Sequence, residues 1–151
     1  MAHYPSVFIS DLHLGSPWCQ TTELSAMLED LDCDKLYLVG DIIDSWHMSK
    51  GRPMPANQLM VMHKLMEIST RIKVIYLTGN HDRFLRQESY RAIFHQILPR
   101  INLCDQLVHV AKNHKRYLVQ HGDAYDHTLK VPLLERAANG FYSGIRHAWE
   151  K

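Results

Sequence analysis

The chain has 151 residues, of which 46% are hydrophobic and 22% are charged, and its formal net charge is +1. These values are typical of one soluble globular domain, and so small a net charge gives no electrostatic reason to expect a nucleic-acid partner. No apolar run reaches the roughly 18 residues of a membrane-spanning helix, and the first residues lack the basic region and cleavage site of a signal peptide. We therefore expect a cytoplasmic protein whose three cysteines are reduced thiols.

Three segments share one design, a short apolar run that stops at Gly, Asp or Asn. They are VFISDLHLG from Val7, KLYLVGDIID from Lys35 and KVIYLTGNHD from Lys73. Nearly continuous runs of β-branched and aromatic residues predict strands that are covered on both faces, as in an α/β fold.

Two helical patterns lie between these strands. The first has Thr21 or Thr22 as its predicted N-cap, and its apolar stripe is Leu24, Met27, Leu28 and Leu31. The second has Asn57 as its predicted N-cap, and its stripe is Leu59, Met62, Leu65 and Met66. The predicted order is therefore strand, helix, strand, helix, strand.

The second half of the chain adds a helix and a hairpin. The helix is predicted over about residues 88–98, and its apolar face is Tyr90, Ile93, Phe94 and Ile97. The run LVHVAKNHKRYLVQHGD then alternates around a polar turn, which predicts a β-hairpin that leads to His121. Apolar residues at helical spacing from Pro132 onward predict a last helix.

Side chains that can bind a metal ion follow every predicted strand. They are Asp11 and His13 after the first strand, Asp41 and Asp44 after the second, Asn80, His81 and Asp82 after the third, and His121 and Asp123 after the hairpin. Each cluster alone could be an ordinary turn. Because loops at the carboxyl ends of strands converge on one crevice in an α/β sheet, we expect one shared site. On an extended chain, Asp11 and His13 would point the same way.

The donor set combines carboxylate, amide oxygen and imidazole, and it contains no thiolate. Such a set suits divalent ions, with Mn²⁺ favoured and Fe or Zn²⁺ as alternatives. A shared carboxylate would allow two ions to lie about 3.5 to 4 Å apart.

Four motifs, SDLHLG, LVGDIIDSW, TGNHD and HGDAYD, occur in the order found in the calcineurin-like metallophosphoesterases. The resemblance spans Ser10 to Asp126 and implies a four-layer α/β/β/α sandwich. Within that family, SDLHLGS followed by Cys and LYLVGDIIDSW are most similar to the UDP-2,3-diacylglucosamine pyrophosphatase (diphosphatase) branch, which acts in lipid A biosynthesis.

The resemblance implies a metal ligand set. Asp11 and His13 would hold the first ion, Asp41 would bridge both ions, and Asn80 with His121 would hold the second. The dinuclear centre would supply a bridging hydroxide for in-line attack on phosphorus.

The resemblance also implies two catalytic residues. His81 would protonate or stabilise the oxygen of the leaving group, and Asp44 would orient the His81 imidazole. Asp82 is interpreted as structural. Trp46 follows Asp44 closely and would either line the substrate pocket or fill the core.

The last motif of the family, G-H-x-H, does not occur in this sequence. We therefore expect the chain to be the N-terminal half of the sandwich, with residues 1–127 forming part of the metallophosphoesterase domain. Residues 128–151 would form a helical segment that either begins a cap over the substrate or packs in the core. Alternatively, a second copy of the chain would cover the exposed sheet face.

The predicted function is metal-dependent hydrolysis of a phosphoester or pyrophosphate bond. The predicted substrate is a nucleotide-linked lipid, and the protein would contact the inner membrane peripherally. This chain has GNHD where many members of the branch have Gly-Asn-Arg-Asp. A phosphodiesterase or phosphatase with a small soluble substrate is therefore an alternative. A non-catalytic module that binds proteins is a second alternative.

Overall fold

A computed structural model describes residues 2–126 of the protein. Its larger sheet contains four parallel strands in the spatial order β1-β2-β3-β4. The strands are β1 (Val7–Ile9), β2 (Lys35–Val39), β3 (Lys73–Leu77) and β4 (Ile101–Cys104). The carboxyl ends of all four strands therefore lie at the same edge of the sheet.

Four α-helices lie between these strands in the sequence. They are α1 (Thr21–Glu29), the single turn α2 (Ser45–Met48), α3 (Ala56–Ile68) and α4 (Glu88–Ile97). A 3₁₀ turn spans Arg83–Arg86. Among residues 2–126, no helix has the length and apolar character needed to cross a bilayer.

Alternate residues of the central strands face the helices. One buried cluster contains residues of the sheet and of three helices. The sheet residues are Leu36, Leu38, Val74 and Tyr76. The helix residues are Leu24 and Leu28 of α1, Val61 and Leu65 of α3, and Phe94 of α4. Burial of an aliphatic side chain of this size contributes about 1.5 to 3 kcal/mol. The core that holds the site loops in place therefore lies between the sheet and the helices.

The opposite face of the sheet packs against a hairpin. Its antiparallel strands are β5 (Gln106–Val110) and β6 (Arg116–Gln120). Leu107 and Val119 of the hairpin pack against Tyr37, Ile75 and Leu77 of the sheet. A second 3₁₀ turn, Gly122–Tyr125, comes after β6 in the sequence. The predicted helical segment from residue 128 lies outside the described residues.

The predicted strands and the hairpin are confirmed. However, β1 is not covered on both faces, since Phe8 is 44% exposed, and one strand was missed. Strand β4 has four residues and is separated from β5 by Asp105 alone. It has none of the polar strand-end motifs that mark β1, β2 and β3. Its pairing with β3 is a tertiary contact that the local sequence does not encode.

The predicted helix caps were wrong. Gln20 precedes α1 as its N-cap, and Thr21 is the first helical residue, with its hydroxyl donating to the Cys19 carbonyl. Pro55, with a φ of −60°, is the N-cap of α3, so the helix begins two residues earlier than an Asn57 cap would place it.

The predicted apolar faces of α3 and α4 are confirmed only in part, by Leu65, Met62 and Phe94. In α3 the buried residues include Val61 and Leu65, whereas Leu59 is 53% exposed. Apolar residues occur all around this helix, so its sequence does not determine which face is buried. In α4 only Phe94 is buried, and the other predicted face residues, Tyr90, Ile93 and Ile97, are exposed.

Candidate metal centre

The loops that follow β1 and β2 run side by side beyond the sheet. The Asp11 N–H donates to the Gly40 carbonyl at 3.1 Å, and the His13 N–H donates to the Asp41 carbonyl at 2.9 Å. Leu14 continues this pairing with Ile42 at 2.8 Å. Backbone hydrogen bonds therefore hold Asp11 and His13 against Asp41 before any side chain contributes.

Three of the predicted ligands have left-handed backbone conformations. The φ angles are 57° for Asp11, 49° for His13 and 53° for Asp41. The prediction that Asp11 and His13 lie on an extended chain was therefore wrong, because β1 ends at Ile9. Residues other than glycine adopt this conformation at a cost of about 1 kcal/mol or more, and such strain is concentrated at functional sites.

Two glycines allow the loops to approach one another. Gly40 has a φ of +74°, and a Cβ at this position would overlap the His121 side chain. A Cβ at Gly79 would overlap the carboxylate of Asp41. The Gly-Asp and Gly-Asn pairs in the motifs therefore make room for the side chains of the site.

Asp82 connects the loops after β2 and β3. It is 0% exposed, and its carboxylate accepts hydrogen bonds from the Ile42 N–H at 2.9 Å, the Tyr76 hydroxyl at 2.7 Å and the Gly79 N–H at 2.5 Å. A buried carboxylate is stable only with such partners. This geometry agrees with the interpretation of Asp82 as structural.

Three imidazoles surround one oxygen of Asp41. Their Nε2 atoms lie 4.0 Å (His13), 4.0 Å (His81) and 3.7 Å (His121) from Asp41 Oδ2. The carboxylate of Asp11 is also close, with its Oδ1 4.0 Å from His13 Nε2 and 3.8 Å from His121 Nε2. The structure therefore brings together Asp11, His13, Asp41, His81 and His121 from four separate segments.

The separations between these atoms fit intervening metal ions. They exceed the length of a hydrogen bond. Two ligands that each lie about 2.0 to 2.2 Å from one ion can be no more than about 4.4 Å apart, and all of the distances meet this limit. Imidazole nitrogen and carboxylate oxygen are donors that Mn²⁺, Fe and Zn²⁺ accept. Asn80, the remaining predicted ligand, is half-buried and directly precedes His81.

Asp44 lies between two of the imidazoles. Its Oδ1 is 3.0 Å from His81 Nδ1, and its Oδ2 is 3.7 Å from His13 Nδ1. The backbone N–H of His47 donates to the same carboxylate at 2.9 Å. Since Asp44 contacts the Nδ1 atoms, the Nε2 atoms of His13 and His81 both turn toward Asp41.

The carboxylates of the site differ in their electrostatics. Burial raises the pKa of Asp41, and the hydrogen bond from the His81 N–H offsets this only in part. Burial also acts to raise the pKa of Asp44, but His13, His81 and the His47 N–H hold it well below the usual range. The pKa of His13 is raised although burial lowers it, because Asp44, Asp41 and Asp11 favour its protonated form. Asp44 is therefore ionised at neutral pH, and a metal ion bound to His13 would compete with protonation of this imidazole.

Sequence reasoning missed two contacts at this site. The contact of Asp44 with His13 has no sequence signal, because it depends on the left-handed turn at His13. The stacking of Trp46 on His81, with ring centroids 3.8 Å apart, was left open by the sequence. One sequence signal for this contact was available. Trp46 lies two residues after Asp44, and Asp44 contacts the same His81 imidazole.

Several proteins of known identity are similar to this chain. The UDP-2,3-diacylglucosamine hydrolase of Shewanella sp. (strain W3-18-1) is 31% identical over 123 residues, which cover 79% of this chain and 47% of the relative. The enzyme of the same name from Shewanella oneidensis is 29% identical over 123 residues, covering 79% of this chain and 48% of the relative. The chain thus spans about half the length of the curated relatives it matches.

A solved structure is also similar. The crystal structure of Pseudomonas putida nuclease MPE is 21% identical in sequence and superposes with a TM-score of 0.44, covering 68% of this chain and 47% of that chain.

A family model covers nearly the whole chain. The calcineurin-like phosphoesterase model matches residues 4–149. The parallel sheet, the order of the motifs and the convergence of their side chains on Asp41 agree with this match. The chain belongs to the calcineurin-like phosphoesterase family.

Proposed function

We propose that the protein is a metal-dependent hydrolase of phosphoester or pyrophosphate bonds. The observation that carries this proposal is the convergence of three imidazole Nε2 atoms on Asp41 Oδ2, with Asp11 beside them. Asp11, His13, Asp41 and His121, together with Asn80, would hold two divalent ions, with Mn²⁺ as the first candidate.

The bound ions would neutralise charge on the phosphoryl oxygens and lower the pKa of a water molecule for attack on phosphorus. The remaining chemistry belongs to His81. Because its Nδ1 contacts Asp44 at 3.0 Å, its Nε2 is the atom that can donate a proton to the leaving-group oxygen. The ionised Asp44 then stabilises the imidazolium form and fixes the ring orientation. A surface used only to bind proteins would have no need of this pair.

The substrate that we propose is a nucleotide-linked acylated sugar, such as UDP-2,3-diacylglucosamine. Similarity to hydrolases of that name over 79% of the chain supports this proposal. An open groove of about 290 Å³ is lined by Ser10 and Gln120 together with five apolar residues, Phe8, Ile9, Val39, Leu118 and Val119. These five side chains would contact the acyl chains. The enzyme would act in the cytoplasm, with peripheral contact to the inner membrane.

Metal binding is tested by Asp41→Ala and Asp41→Asn, with Mn²⁺ titrated by calorimetry. Both variants should weaken Mn²⁺ binding by more than the roughly 10- to 100-fold that follows loss of an outer-shell partner. Asp41→Asn keeps the shape of the side chain, so it separates loss of charge from loss of folding. Asp30→Asn, at the exposed end of α1, is the control and should bind Mn²⁺ normally. Unchanged binding in both Asp41 variants would reject the metal centre.

The substrate is tested by a parallel assay with Mn²⁺. UDP-2,3-diacylglucosamine and bis-p-nitrophenyl phosphate are offered to the protein separately. Release of UMP from the lipid supports the nucleotide-linked substrate. Hydrolysis of the simple ester alone would reject that substrate and favour a phosphodiesterase for small soluble molecules.

A further inference from the structure

The indole of Trp46 lies against the imidazole of His81. The ring centroids are 3.8 Å apart, and the ring planes are inclined by 32°. The guanidinium of Arg83 also lies over the indole, with its central carbon 6.0 Å from the indole centroid. This distance is within the range of cation–π attraction. Trp46 therefore contacts the imidazole of His81 and also lies within cation–π range of Arg83.

Three consecutive residues contact three different parts of His81. The Asp44 carboxylate contacts the ring nitrogen Nδ1 at 3.0 Å. Both the N–H and the hydroxyl of Ser45 donate to the His81 carbonyl. Trp46 covers one face of the ring. We call these residues, Asp44 to Trp46, the His81 clamp.

Each contact of the clamp removes a different motion. The bonds from Ser45 fix the backbone of His81, but the ring can still rotate about its side-chain bonds. The contact with Asp44 fixes one ring atom, and the edge-on ring of His13, with its centroid 4.6 Å away, limits rotation of the His81 ring from one direction. Stacking on Trp46 fixes the plane of the ring, and thus the direction in which Nε2 points.

We propose that Trp46 is a positioning residue that holds His81 in the orientation required for proton donation to the leaving group. The inference rests on the proposed hydrolase function and extends it to a residue that is not among the proposed metal ligands. Misplacement of a catalytic group by 1 Å can cost about 100-fold in rate, so loss of the stack should be visible in turnover.

The position of the ring is tested directly by NMR of the histidine side chains. The ring protons of His81, identified by their loss in His81→Gln, should be shifted upfield in the wild-type protein by the indole ring current. Trp46→Leu should move these signals downfield, and Trp46→Phe should retain part of the upfield shift. Trp18→Leu is the control, because Trp18 contacts His47 and should leave the His81 signals in place. Unmoved His81 signals in Trp46→Leu would overturn the proposal.

The catalytic consequence is tested with two aryl phosphodiesters under saturating Mn²⁺, one with a good and one with a poor leaving group. Proton donation matters most when the leaving group is poor. Trp46→Leu should therefore lower kcat for the poor leaving group about 10-fold more than for the good one, within the roughly 10²- to 10⁴-fold range of general acid catalysis. Trp46→Phe should restore most of this loss, and Mn²⁺ affinity should stay within about twofold in both variants.

The outcomes of the two tests are distinguishable. Equal losses of kcat with both esters, or a loss that follows Mn²⁺ affinity, would assign Trp46 a merely structural role and overturn the proposal. A wild-type protein that hydrolyses neither ester would contradict the proposed function, whereas the NMR signals would still decide whether Trp46 positions His81.

Discussion

At the scale of single residues, the site is organised around the side chain of Asp41. This residue is 4% exposed and has a left-handed backbone, and its two oxygens have different partners. Oδ1 accepts the hydrogen bond from the His81 N–H at 2.9 Å, and Oδ2 faces the three imidazoles. Burial of a carboxylate in a strained backbone is unfavourable by itself, and a bound cation would compensate for both costs.

The glycine before Asp41 provides a prediction at this scale. Gly40→Ala should lower the free energy of unfolding by about 1 kcal/mol, because residue 40 has a left-handed φ that alanine adopts at a cost. Overlap of the new methyl group with His121 should lower it by about 1 to 3 kcal/mol more. It should also weaken Mn²⁺ binding, since His121 must move. Urea denaturation and calorimetry measure the two effects.

Gly51→Ala is the matched control for this change. Gly51 has a φ of +75°, close to the +74° of Gly40, but a Cβ at Gly51 would meet nothing within 4 Å. This control should show only the backbone cost and bind Mn²⁺ normally. If both alanine variants lose the same stability and keep the same affinity, close packing of His121 on Gly40 is not important for the site.

At the scale of the elements, Asp82 and Tyr76 couple strand β3 to the loops that carry the ligands. Tyr76 is a buried strand residue, and its hydroxyl donates to Asp82 at 2.7 Å. Asp82 in turn holds the backbone of Ile42 in the loop after β2 and of Gly79 in the loop after β3. Packing of the sheet thus determines the spacing of two site loops.

Tyr76 provides a prediction about pH. Burial and the neighbouring carboxylate of Asp82 raise the pKa of Tyr76 well above its usual value of about 10. Above that pH the unfolded chain loses the tyrosine proton while the folded protein keeps it, so the free energy of unfolding falls as pH rises. Tyr76→Phe should be less stable than wild type by about 1.5 to 3 kcal/mol at pH 8, and this gap should narrow at alkaline pH.

Urea denaturation of both proteins at several pH values measures the gap. Tyr4→Phe, at a residue that is 53% exposed, serves as the control and should follow the wild-type pH dependence. A gap of constant size across the alkaline range would show that the Tyr76 proton is not coupled to folding.

The elements differ in how far the sequence predicts them. Strands β1, β2 and β3 are predictable because each is an apolar run that ends in a distinct polar motif. The buried face of α3 is not predictable, since Gln58 occupies it for a tertiary reason. Its side chain accepts from the Gly15 N–H at 2.6 Å and donates to the Ser16 carbonyl at 2.7 Å. A polar residue that is buried because it hydrogen-bonds a distant loop cannot be recognised from the hydrophobic pattern of its own helix.

At the scale of the whole molecule, convergence of the site follows from topology. The predicted ligands are spread along the sequence from Asp11 to His121. The parallel strands β1, β2 and β3 place the loops that follow them at one edge of the sheet. Strand β6 ends beside the same edge, so His121 lies near Asp41. The sequence therefore predicts that Asp11, His13, Asp41, His81 and His121 meet. It does not predict the left-handed turns at Asp11 and His13, or the contact of Asp44 with His13, because these depend on pairing between loops.

The most direct test of the metal centre is anomalous diffraction at the manganese edge, from crystals of the protein grown with Mn²⁺. Anomalous peaks should lie within about 2.0 to 2.3 Å of Asp41 Oδ2, with ligands drawn from Asp11, His13, Asn80 and His121. Crystals that show bound Mn²⁺ only elsewhere, or none beside Asp41 at saturating concentration, would contradict the account.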